Sequence, residues 1–175
     1  MMTNLEIAES FELLGKLMEL HGENQFKSKA YSSAAYTIQK LDAQISSMDA
    51  ETLGSINGIG IATREKILTL IETGHLKVLD DLISKTPVGV LEMMNIKGLG
   101  PKKVAQLWKE FDLESVGELQ YACNENRLTL LKGFGEKTQA NVLKNLEFYL
   151  SKKGFYRHAE VEKLALSIEA FFQTQ

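Results

Sequence analysis

Three short segments carry residues whose types and spacing could hold an anion. Ile96-Lys97-Gly98-Leu99-Gly100-Pro101-Lys102-Lys103 sets two glycines around one apolar residue, then a proline suited to the first position of a helix, then two cations. Such a turn points the unpaired N–H groups of a helix start outward, with a partial positive charge behind them. The chemistry is phosphate binding by backbone donors, assisted by lysine. Ile56-Asn57-Gly58-Ile59-Gly60 and Leu131-Lys132-Gly133-Phe134-Gly135 repeat the pattern apolar-x-Gly-apolar-Gly, and Lys137 and Thr138 follow the last copy. One Gly-x-Gly is an ordinary turn, but three between amphipathic segments form an internal repeat. The plainer alternative, helical corners whose glycines only permit packing, leaves Lys102, Lys103 and Lys137 unexplained.

Other chemistries find little support. Cys123 is the single cysteine, so no internal disulfide or metal-ligand pair of cysteines can form, and a small half-buried side chain in a reducing, cytoplasmic setting is expected. His21, His75 and His158 stand far apart without ligand-spaced partners and read as surface or half-buried histidines. No Asp-x-Asp occurs, and the adjacent Asp80-Asp81 falls at a helix end where solvation accounts for it. The net charge of −3 argues against a molecule coated in positive charge, though not against a local basic face. No secretory signal or membrane span is expected, because no apolar run is long enough.

The elements that must position these turns are helices. In 175 residues, 44% hydrophobic, only Pro87 and Pro101 interrupt the helical periodicity and no alternating strand pattern persists, so the expected class is all-α. Asn4 is expected to cap a first helix carrying Ile7, Phe11, Leu14 and Met18, stopped by Gly22. A second helix opens with Lys27 and Lys29 and buries Tyr31, Ala34, Ala35, Ile38, Leu41 and Ile45. Small Ala34 and Ala35 imply close helix approach. The helix after the first turn ends at Gly74 and faces inward through Ile67, Leu68, Leu70 and Ile71, leaving Arg64, Glu65 and Lys66 at its outer start. A further helix carries Leu76, Leu79, Leu82 and Ile83. Lys85-Thr86-Pro87 then sets the boundary between two small domains, residues 1–85 and 86–175.

The second half repeats the scheme. Val90, Leu91 and Met94 lead into the central turn, and the next helix buries Val104, Leu107, Trp108 and Phe111. Ser115 to Glu118 reads as a capping box ahead of Leu119 and Ala122. The helix after the third turn is expected to face Ala140, Leu143, Leu146 and Leu150 inward. Gly154 separates it from a last helix whose stripe, Val161, Leu164, Ala165, Ile168, Phe171 and Phe172, needs a covering surface: a polymerase or repair partner is one candidate.

Gly-Glu-Asn-x-Phe-Lys-x-x-Ala-Tyr at Gly22 to Tyr31, the three glycine turns, Gly133-Phe134-Gly135-Glu136-Lys137-Thr138, and Phe155-Tyr156-Arg157-His158 together resemble the non-catalytic N-terminal region of family X DNA polymerases, of bacterial type. The resemblance covers nearly the whole chain. It implies tandem helix-hairpin-helix motifs that bind DNA by its phosphates without reading sequence, the first domain on the 5′ side of a gap or nick and the second on the primer side. It implies no organic cofactor, but a monovalent cation, Na+ or K+, held by the backbone carbonyls of Gly54, Ile56 and Ile59 and of Met94, Ile96 and Leu99. Thr129, Leu131 and Phe134 match less well. The DNA-contacting positions would be Lys27, Gly58, Gly60, Gly98, Gly100, Lys102, Lys103, Gly133, Gly135, Lys137 and Thr138.

The palm of that family, with its metal-binding aspartates, has no match here, so this chain is not expected to extend a primer by itself. In lyase-active members a lysine matching Lys66 attacks a 5′-deoxyribose phosphate, supported by residues matching Glu65 and Tyr31. This sequence departs from them at Asn57, Ala62 and Val78. Three readings therefore stand: a DNA-repair binding module, a deoxyribose-phosphate lyase through Lys66, and a helical protein-interaction scaffold.

Overall fold

The computed structural model describes residues 2–152, and among them there is no strand. The order of helices is α1 (Asn4–His21), α2 (Gln25–Gln39), α3 (Ala50–Ser55), α4 (Ile61–Thr73), α5 (Lys77–Ser84), α6 (Val88–Met93), α7 (Pro101–Phe111), α8 (Val116–Asn124) and α9 (Glu136–Lys152). Single turns of 3₁₀ helix lie at Ile45–Ser47 and Arg127–Leu130. The all-α class with three glycine turns is as the sequence predicts.

Helix α1 is the central strut. Its inner face, Ile7, Phe11, Leu14, Leu17, Met18 and Leu20, is buried, and α2, α5 and α7 all rest on it. Where α2 crosses, Gly15 gives the clearance: an added Cβ would sit 2.5 Å from Ser32 Oγ, and Ser28 Oγ donates to the Gly15 carbonyl at 2.9 Å. One apolar cluster runs from Ile7 to Leu146, so the two halves of the sequence share a core. His21 links them. Thr86 Oγ1 donates to Leu82 O at 2.7 Å, so at 2.8 Å His21 Nε2–H is the donor to Thr86 Oγ1, and the ring meets Trp108 of α7 edge-on, centroids 5.6 Å apart.

Several local expectations give way to longer-range contacts. Thr3, not Asn4, caps α1, in a capping box with Glu6. Asn4 is buried instead and ties α1 to the chain after α2: its Nδ2 donates to Leu41 O (3.2 Å) and Ala43 O (2.9 Å), and Ile45 N–H donates to its Oδ1 (2.8 Å). Helix α2 stops at Gln39, so Ile45 is buried from a separate 3₁₀ turn rather than along the same stripe. Trp108 is only half-buried, because its indole N–H must reach Glu114 Oε1 (3.1 Å) at the edge of the core. Helix α9 buries Gln139, Val142 and Leu146 and leaves Ala140 exposed, a rotation fixed by Gln139 Nε2 donating to Asn126 Oδ1 (2.7 Å). Cys123 is buried in α8. The expected last helix and the motif at Phe155 to His158 lie outside the described residues.

Candidate nucleic-acid interface

The three glycine turns adopt one geometry. In each, the residue after the first glycine donates its N–H three residues back: Ile59 to Ile56 O at 3.1 Å, Leu99 to Ile96 O at 3.0 Å, and Phe134 to Leu131 O at 3.0 Å. The first glycine closes the turn at positive φ: 92° at Gly58, 91° at Gly98 and 89° at Gly133, values that side chains resist. The apolar residue between the glycines plugs into the core and anchors the loop, with Ile59, Leu99 and Phe134 all buried. The chain then enters α4, α7 or α9.

The second glycine of each pair poses a different question. Gly60 and Gly100 have ordinary backbone angles (φ −73°, ψ 167° and φ −81°, ψ 169°), and a Cβ added at Gly60, Gly100 or Gly135 would meet nothing within 4 Å. The fold itself does not demand glycine there. Gly60 and Gly100 occupy N-cap positions, where Ser, Thr, Asp or Asn would stabilise the helix by accepting from its free donors. Side chains do this at Thr3 for α1, Asn24 for α2, Asp49 for α3 and Ser115 for α8. The starts of α5 and α6 are uncapped too, but from Leu76 and Pro87. At α4, glycine leaves the N–H groups of Ile61 and Ala62 unclaimed, and at α7, whose first residue Pro101 has no N–H, it leaves those of Lys102 and Lys103, with the approach to them open.

Cations stand beside these openings. Lys102 is exposed, and its 3.7 Å pairing with Glu19 Oε1 is a solvent-screened contact that leaves the ammonium available. Lys103 is half-buried, its Nζ 3.5 Å from Gly98 O and 5.7 Å from the Phe134 ring centre, so it spans the second and third turns. Lys137 is exposed on the first turn of α9, and Thr138 N–H donates to Gly135 O (2.8 Å). Arg64 folds back from α4 onto α3, just ahead of the first turn: its Nη1 donates to Ala50 O (3.4 Å) and lies where a Cβ on Gly54 would go. The carbonyls of Ile56, Ile96 and Leu131 each accept one turn bond and keep a second lone pair.

The residues around α2 are arranged differently. Asn24 Oδ1 accepts from Phe26 N (2.9 Å) and Lys27 N (3.2 Å), which occupies the donors of that helix start. Lys27 can therefore offer its side-chain charge alone. It is exposed, as is Phe26 beside it, at 86%. Tyr31 is buried, edge-on to Phe11 with centroids 5.9 Å apart, and burial raises its hydroxyl pKa. Glu65 is exposed on α4, while Lys66 is half-buried and lines a groove of about 360 Å³ with Thr69, Leu76, Lys77, Val78 and Asp81. Tyr31 and Lys27 are not part of that groove lining.

One surface was missed by reasoning from the turns alone. Lys144, Phe148 and Lys152 recur every four residues and so share one face of α9, against which the second turn is fastened: Asn145 Nδ2 donates to Lys97 O at 2.8 Å. That spacing was the available signal.

Residues 2–76 match the model of a helix-hairpin-helix domain, and residues 90–147 match that of a SAM-like helix-hairpin-helix tandem. The chain is 33% identical over 141 residues to the DNA polymerase/3′-5′ exonuclease PolX of Bacillus subtilis, covering 81% of this chain and 24% of that protein. It is 29% identical over 170 residues to DNA polymerase lambda of Rattus norvegicus, covering 96% of this chain and 27% of that protein. A shorter segment of 54 residues is 43% identical to a DNA ligase of Limosilactobacillus reuteri, 31% of this chain and 8% of the ligase. The chain thus spans about a quarter of the length of the two polymerases it resembles.

Proposed function

We propose, from the likeness to the helix-hairpin-helix region of family X DNA polymerases, that this chain is a sequence-independent DNA-binding module of a repair system, gripping gapped or nicked DNA by its phosphates. The observation that carries the reading is the uncapped, sterically open glycine at Gly60 and Gly100, with Gly135 equally open, and lysines beside the second and third of these. A phosphate oxygen would accept from the first N–H groups of α4, α7 and α9, and Lys102, Lys103 and Lys137 would neutralise its charge. Contacts of this kind address phosphate oxygens rather than base edges, so affinity should not depend on sequence.

A monovalent cation fits the same turns. Carbonyl oxygens are hard donors, and those of Ile56 and Ile96 retain a free lone pair beside the glycine opening. Gly54, Ile59, Met94 and Leu99 complete the two carbonyl sets, and Thr129, Leu131 and Phe134 offer a third. When bound, the ion supplies a positive charge between the turn and a phosphate oxygen.

Titration of labelled gapped, nicked and intact duplexes by fluorescence anisotropy, across KCl concentrations, tests the reading. Each neutralised phosphate contributes roughly −0.9 to the log–log salt slope, so one contact per turn gives about −2.7, equal for unrelated sequences. Replacing K+ with tetramethylammonium at constant ionic strength should weaken binding, because that cation is too bulky for a carbonyl cradle. Absence of binding to every DNA at low salt refutes the module and favours the scaffold reading.

A further inference from the structure

The face of α9 that adjoins the second turn forms a groove of about 410 Å³, and its chemistry differs from that of the turns. Phe148 and Tyr149 supply apolar surface; Phe148 is 64% exposed, while Tyr149 is half-buried and packs against the core. Among the described residues, Lys97, Lys144 and Lys152 line the groove, and no acidic side chain does. In a chain of net charge −3, three ammonium groups around an exposed aromatic ring are a local inversion of sign. A flat apolar body carrying negative charge matches that environment. Asn145 fixes the geometry by holding Lys97 O, so the groove runs directly off the turn whose glycine presents the start of α7.

We propose that this groove binds an unpaired nucleobase of a DNA strand, stacked on Phe148, with the flanking phosphates on Lys97, Lys144 and Lys152. The site rests on the phosphate-gripping role of the second turn: a strand held at Gly98 and Gly100 continues past Lys97 onto α9. Lys152 Nζ stands 5.5 Å from the Phe148 ring centre, and an incoming base takes the ring face while that ammonium moves to phosphate. Aromatic stacking accepts any base, since each has a π-face, so the site adds a preference for DNA structure without one for sequence. It would distinguish a gap, bulge or overhang from continuous duplex.

Duplexes carrying 2-aminopurine in a one-nucleotide gap, a bulge or either overhang, and the same probe inside continuous duplex, test this with the full chain. Stacking on Phe148 should quench the unpaired probe and leave the paired one unchanged. Phe148→Ala should abolish the quench and lower affinity for unpaired-base DNA roughly tenfold, while duplex affinity and salt slope stay at the wild-type values. Phe148→Trp should restore both. Because Phe148 is exposed, circular dichroism melts of the variants should match the wild type. Quenching that survives Phe148→Ala and disappears in Phe26→Ala overturns the assignment, as does equal binding of unpaired and continuous DNA. Failure to bind any DNA would instead remove the phosphate-gripping module itself.

Discussion

Replacing Gly100 with serine separates what the fold needs from what a ligand needs. Gly100 sits at the N-cap of α7 with φ −81° and ψ 169°, angles that serine prefers at this position, and its added Cβ would meet nothing within 4 Å. Serine accepts from the second or third N–H of the helix, worth a few tenths of a kcal/mol over glycine. It also restricts the unfolded chain, adding about 0.4–1 kcal/mol. The sum is a gain of roughly 0.5–1.5 kcal/mol, or a few degrees in Tm for a chain of this size. The same hydroxyl takes a donor from an incoming phosphate and narrows its approach. The expectation is a higher Tm by calorimetry, together with weaker DNA binding and a salt slope reduced by about one phosphate. Gly98→Val serves as contrast: at φ 91° it strains the turn and should lower stability and binding together. A Gly100→Ser protein that melts earlier, or that binds DNA as tightly as the wild type with an unchanged slope, would show that Gly100 is not kept open for a phosphate.

Three further outcomes follow from named contacts. Asn4→Leu should cost about 2–4 kcal/mol in urea melts without changing the m-value, because it strands the buried partners at Leu41, Ala43 and Ile45; a loss under about 0.5 kcal/mol would contradict that role. His21 should make stability fall on acidification. Burial and then Lys109 lower its pKa below the ordinary 6.5, so the unfolded chain binds the proton first. The contribution is complete above about 6.5 and is lost as pH falls through the folded value, and a His21→Gln protein should lack that component of the pH–stability curve. Lys66, finally, should give a borohydride-trapped adduct on incised abasic-site DNA if its groove admits the sugar aldehyde. No adduct, or an undiminished one with Lys66→Ala, assigns it to phosphate attraction alone.

Features decided within a few residues were legible in the sequence. Gly22 and Gly74 end α1 and α4 in the left-handed conformation at φ 76° and 74°, and Ser115 with Glu118 forms the capping box that the spacing announced. The three turns were legible for the same reason, since glycine, apolar residue and glycine each answer a local requirement. What was not legible depends on partners far along the chain. The role of Asn4 is set by residues about forty positions away, and nothing near Thr3-Asn4 says which of two good capping residues is left over for the core. Likewise the rotation of α9 follows from Gln139 meeting Asn126 and Asn145 meeting Lys97, so a stripe counted on α9 alone placed Ala140 inside.

The same distinction explains why candidate binding residues could be named but their proposed division of labour could not. Sequence ranks Lys27, Lys102, Lys103 and Lys137 alike, as cations near helix starts. The structure separates them by whether the helix donors behind each lysine are already taken. Asn24 fills those behind Lys27, whereas Gly100 leaves those behind Lys102 and Lys103 empty. A lysine backed by free N–H groups can hold one phosphate oxygen from two sides, by charge and by directed hydrogen bonds. A lysine without them attracts the strand but does not position it. On the proposed DNA-binding function, positional hold would therefore belong to the glycine turns, and Lys27, with Phe26 exposed beside it, would act on a strand already held.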